Sequence, residues 1–119
     1  MADSEPGRLE DIVDLAVIDR ELRQQDSYMK SGHTARPVLR KADLRIVLIA
    51  MKEGSRMPEH RVEETISIQV VRGHVRLGLP ERAVEVQDGQ VLILDRAVPH
   101  DVDALRESLL LVTFGWKAR

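Results

Sequence analysis

The sequence predicts an all-β domain preceded by one helix. From residue 34 onward, short alternating apolar runs recur between turn signals, with no helical period of the kind that a βαβ unit needs. Ahead of them, apolar residues fall at Leu9, Ile12, Val13, Ala16 and Val17, with Leu22 further on. That spacing is the stripe of an amphipathic helix, expected at roughly residues 8–24, with Asp11, Asp14, Arg20 and Glu21 mainly off the stripe.

Ser31-Gly32-His33 reads as a turn. Thr34 to Arg40 is the first expected strand, and Pro37 within it favours an edge position because proline cannot donate to a ladder. Leu44 to Met51 is a long β-branched run, apolar on both faces, so it calls for cover on two sides. After a turn at residues 52–55, Thr65 to Val71 alternates cleanly, with Ile66, Ile68 and Val70 expected inward and Ser67 and Gln69 outward. Arg72-Gly73 turns the chain into the run Val75 to Leu79, and Pro80-Glu81-Arg82 turns it again into Ala83 to Val86. Asp88-Gly89 is a strong turn signal. Val91 to Leu94, a strand near Val102, and Leu109 to Phe114 complete the set. The division expected is a leader and helical extension over residues 1–30 and a β domain over residues 31–119.

Composition narrows the function classes. A chain of 119 residues has room for one core, and 43% apolar with 32% charged residues is the balance of a folded soluble domain. A net charge of −2 and three aromatic residues (one Trp, one Tyr, one Phe) argue against nucleic acid, which calls for a positive field and stacking surfaces. The apolar run Ile46 to Met51 is far short of a membrane span, and the acidic start lacks the pattern of a secretory signal, so a cytoplasmic protein is expected. Without cysteine there are no disulfides, thiolate ligands or cysteine nucleophiles. No G-x-S-x-G, P-loop or dinucleotide fingerprint is present.

Two segments carry the candidate chemistry. Gly54 is followed by five residues and then His60, with Gly73 closing the segment. Gly89 leads, through Asp95 and Ala97, to His100. Two such glycine-to-histidine segments in order, with strands between them, resemble the two motifs of the cupin family over roughly residues 44–115. The resemblance implies a jelly-roll β-barrel whose interior brings His60 and His100 together. In the family the first motif carries a second histidine and a glutamate, which fall at Val62 and Ile66 here. In the second motif, Asp95, Ala97 and Ala104 occupy the proline, glycine and asparagine positions.

The full family set of three histidines and a glutamate can hold Fe(II), Mn(II), Ni(II) or Zn(II) with positions left open. Here it is reduced to His60 and His100, with Glu64 as a third candidate donor if the turn before Thr65 brings it inward. The competing reading is a metal-free pocket in which the two imidazoles bond each other, water or a ligand. The expected pocket is His60, Val62, Ile66, Ile68, Val70 and His100. His74 and His33 are expected outside it.

Three functions fit these residues. The first is a module that binds a small molecule in its barrel; the second is a dioxygenase, isomerase or lyase that is metal-dependent or uses the histidines. The third is an inert dimerisation module. A homodimer is expected in each case, because one face of Ile46–Met51 and of Leu109–Val112 exceeds what a single helical stripe can cover.

Overall fold

The computed structural model describes residues 11–116. Asp14 starts the first helix, its Oδ1 accepting from the backbone N–H groups of Ala16 (3.0 Å) and Val17 (3.3 Å). Helix α1 therefore runs only over Leu15–Leu22, and a second helix, α2, follows over Asp26–Ser31. Gly32, at φ 84°, ends α2 in the left-handed conformation that glycine adopts without steric cost.

The single helix expected over 8–24 is thus shorter and followed by an unforeseen second one, and residues 8–10 lie outside the described residues. Its buried face also differs. Ile12 is 86% exposed and Val17 38%, whereas Asp19 and Leu22 are buried, with Val13, Leu15 and Ile18 partly so. The apolar count began upstream of the cap, and Asp19 points inward because an arginine waits for it there.

The nine strands of the described residues are β1 (His33–Arg40), β2 (Arg45–Met51), β3 (Arg56–His60), β4 (Ile66–Arg72), β5 (His74–Gly78), β6 (Ala83–Gln87), β7 (Val91–Leu94), β8 (His100–Ala104) and β9 (Ser108–Phe114). They form two antiparallel sheets, ordered β1-β2-β9-β4-β7 and β3-β8-β5-β6. The two stack as a jelly roll, without a continuous ladder closing one sheet onto the other. Pro37 lies on the edge strand β1, where the register slips between Pro37 and Leu39. Strand β3 was not foreseen, since Arg56-Met57-Pro58-Glu59-His60 shows almost no apolar alternation.

The space between the sheets is filled by Met51, Ile66, Ile68, Val70, Val75, Leu77, Val102 and Leu110, all nearly inaccessible. Each such side chain contributes on the order of 2 kcal/mol by leaving water. The other face of β2 and β9 is covered by the chain's own helices: Leu48, Ala50 and Leu109 pack with Leu22, Tyr28 and Val38. Ion pairs fix the helices in place. Arg23 and Arg72 both reach Asp19 Oδ2, at 3.2 and 2.7 Å, and Tyr28 Oη donates to Glu107 Oε2 across 3.2 Å. Burial, helped by Glu107, pushes the Tyr28 phenol above its ordinary pKa, so it stays a donor.

Candidate functional site

The site is built where β3 and β8 pair. The register sets His60 directly opposite His100, after an irregularity between Met57 and His60 that coincides with Pro58. A main-chain carbonyl two residues back orients each ring. His60 Nδ1 donates to the carbonyl oxygen of Pro58 across 3.0 Å, and His100 Nδ1 donates to that of Val98, also across 3.0 Å. A carbonyl has no proton to give, so each Nδ1 carries the hydrogen and each neutral ring keeps a bare Nε2. The ring centroids lie 4.3 Å apart with the planes at 60°.

The approach to His100 is held from the other side of the cavity. The N–H of Ala97 donates to the carbonyl of Val62 across 2.8 Å, tying the loop before β8 to the chain just after β3. Ala97 has φ 62°, alone among the non-glycine residues described. It stands at the position where the family motif has glycine, so the loop keeps the glycine geometry without the glycine.

Around the histidines the wall is apolar. Val47, Ile49, Met57, Val62, Ile66, Ile68, Val102, Leu110, Val112 and Phe114 line the cavity with His60 and His100. About 70 Å³ of it can hold the centre of a water molecule. At roughly 10–15 Å³ per water, that is room for about five waters or one small organic molecule. Of the expected pocket residues, His60, Val62, Ile66, Ile68 and His100 meet in this cavity. Val70 is fully buried in the same core but does not line it.

Sequence reasoning missed Met57, because β3 was not foreseen, and Phe114, whose place beside the cavity depends on the β4–β9 pairing. Only the Cα register of those strands could have signalled either. His74 faces outward and bonds Glu85 (2.7 Å), while Asp101 and Asp103 face Arg56.

The two imidazoles sit in different surroundings. His100 is 3% exposed, and burial, reinforced by nearby His60, holds its pKa below the ordinary value against the pull of the Val98 carbonyl. His60 is exposed.

The order of strands, the two stacked sheets and the histidine pair between them can be compared with solved structures. An RmlC-like cupin from Shewanella frigidimarina aligns over 76% of this chain and 81% of its own, at 19% identity and a TM-score of 0.67. The chain has the cupin fold.

Two further solved structures match over more of the chain. A conserved protein of unknown function from Streptococcus pyogenes covers 100% of this chain and 98% of its own, at 15% identity and a TM-score of 0.74. A salicylate 1,2-dioxygenase mutant from Pseudoaminobacter salicylatoxidans covers 93% of this chain and 40% of its own, at 16% identity and a TM-score of 0.76. No protein-family model and no curated protein matches the sequence.

The donor set of this cavity does not fit a resident transition metal. Such ions take three or more protein ligands. Among the described residues no group of three His, Asp or Glu side chains converges to hold one. Val62 and Ile66 bring only aliphatic carbon to the cavity. Glu64 is engaged elsewhere: it pairs with Arg45 (3.8 Å), whose guanidinium lies 4.1 Å from the Phe114 ring centroid. No helix of the described residues is long and apolar enough to cross a membrane.

Proposed function

We propose that this cupin is a binding module that takes a small organic molecule directly against His60 and His100, without an intervening metal. One observation carries the reading: two imidazoles, each with Nδ1 engaged and Nε2 bare, converge on a cavity otherwise lined by ten apolar side chains. A few placed polar atoms in an apolar concavity are the ordinary make-up of a small-molecule site.

The test is a titration of the protein with a library of small uncharged compounds, followed by amide and methyl NMR together with elemental analysis. Shifts centred on Val62, Ile66, Ile68 and Val102 in metal-free protein support the reading. Stoichiometric metal in the wild type that is lost in a His60→Ala, His100→Ala double variant would sink it.

A second reading is enzymatic. The unequal burial of the paired histidines favours it, since two imidazoles with different surroundings can divide acid and base roles. Turnover of a bound compound that disappears in His60→Gln would move the protein to that class.

The same proposal includes a homodimer. The helices cover the outer face of β2 and β9, so the uncovered apolar surface is instead on edge strand β7, at Val91 (51% exposed) and Ile93 (60%). Sedimentation distinguishes one chain from two, and Ile93→Lys is expected to favour one.

A further inference from the structure

The identity of the polar atoms in the cavity restricts what can occupy it. Both Nδ1 hydrogens are spent on main-chain carbonyls, so neither ring offers a hydrogen to the cavity. Neither Nε2 has a hydrogen-bond partner among the described residues. The remaining wall contains no lysine, arginine, hydroxyl or amide side chain. With both rings neutral, the side chains of the cavity present two acceptors, no donor and no positive charge.

A carboxylate or phosphate placed there would bring lone pairs against lone pairs and lose its hydration without a counter-charge. An ether or ketone would leave the buried His100 nitrogen unpaired in apolar surroundings, the costly arrangement for a buried polar atom. A hydroxyl or an uncharged N–H satisfies an Nε2 outright. With the rings 4.3 Å apart, an NH2 head can also serve both. The room beyond the histidines limits the occupant to a compact apolar body.

We infer that the ligand is a small uncharged compound with an O–H or N–H donor head on an apolar body, seated with that head on His60 and His100. This inference rests on the proposed binding role of the same cavity and adds the chemical class of its occupant. The lowered pKa of His100, caused chiefly by burial, agrees with it, because a neutral ring is the one that accepts.

Three single-ring probes of similar size separate the possibilities: phenol, its methyl ether anisole, and benzoate. Binding is measured by NMR titration of the wild-type protein, with the imidazole nitrogens observed directly. The expected result is that phenol shifts the Nε2 resonances and binds about tenfold more tightly than anisole, the worth of one hydrogen bond of ordinary net strength. Benzoate is expected to bind more weakly than either. His100→Phe should abolish the preference for phenol over anisole while leaving anisole affinity within about twofold. If that variant does not fold, His60→Phe, at an exposed position, should reduce the preference in the same way.

Equal affinity for phenol and anisole, or benzoate binding as the tightest of the three at these histidines, would overturn the donor-head class and leave the binding role standing. If no probe perturbs Val62, Ile66, Ile68 or either imidazole, both the class and the binding role fall.

Discussion

Arg72 of β4 donates to Asp19 of helix α1 across 2.7 Å, joining a half-exposed cation to an almost fully buried anion. The pair is unequal in what its loss would leave behind. The Asp19 side chain is 4% exposed and that of Arg72 is 42% exposed, so a widowed Arg72 can rehydrate where a widowed Asp19 cannot. Arg72→Ala should therefore cost about 2–3 kcal/mol, with Arg23 as the remaining partner, and Asp19→Ala only about 1 kcal/mol. Urea unfolding of both variants checks the order. Equal losses would mean that the carboxylate is better hydrated than its burial indicates.

The turn geometries differ in the same measurable way. At Gly73, φ is 116° and an added Cβ would meet backbone atoms of Glu107 and Ser108 at 2.6 and 2.7 Å. Gly73→Ala should destabilise by roughly 3 kcal/mol, since main chain cannot yield as a side-chain tip can. Ala97 presents the reverse case: φ 62° at an exposed site. Ala97→Gly should be neutral or stabilise by up to about 1 kcal/mol, as the left-handed penalty is relieved against the extra entropy of glycine. Thermal melts of the two variants should move in opposite directions or, at the least, differ by several degrees.

Acid should weaken the fold through His100. Its folded pKa is depressed, chiefly by burial, from the ordinary 6.5. Below the ordinary value the unfolded chain takes up a proton at this ring while the folded chain does not. The stability from this group is fully present above about pH 6.5 and is lost as pH falls through the lower folded value. Melting temperatures recorded from about pH 7.5 to about 5 should fall more steeply in the wild type than in His100→Phe. Parallel curves would show that His100 is not the group responsible.

Much of the fold was legible because its strands obey strong local rules. In β4, Ile66, Ile68 and Val70 are buried and Ser67 and Gln69 only partly so, the period-two pattern that an internal strand imposes. The two-sided apolar character of β2 likewise announced two covers, and the chain supplies both: the facing sheet and its own helices. The helical region was harder to read. The apolar stripe counted from Leu9 ignored the stop that Asp14 imposes, and nothing in Asp19 itself says that Arg72, remote in sequence, will draw it inward.

The site was legible in part for a related reason. Spacing placed His60 and His100 in one cavity, and parity placed Ile66 and Ile68 beside them. The direction of each ring was not legible, because it depends on the carbonyls of Pro58 and Val98, and main-chain acceptors leave no mark in a sequence. The same holds for Met57, whose strand has too few apolar residues to show its period, and for Glu64, whose engagement with Arg45 is a tertiary contact.

The two carbonyl clasps make the aim of each imidazole a property of the three-residue stretch that ends in it, Pro58–His60 and Val98–His100. Apart from each other, no remote side chain among the described residues hydrogen-bonds either ring, so the surrounding wall is free to change composition while the pair stays aimed. The cavity in this sense behaves like a socket with fixed pins and an interchangeable lining. Polar residues exchanged into the wall at Val62 or Ile66 would meet histidines already oriented, and larger or smaller aliphatic residues there would resize the space without redirecting them. Divergence of ligand choice on this scaffold can then proceed one wall residue at a time, each step retaining a competent pair of acceptors.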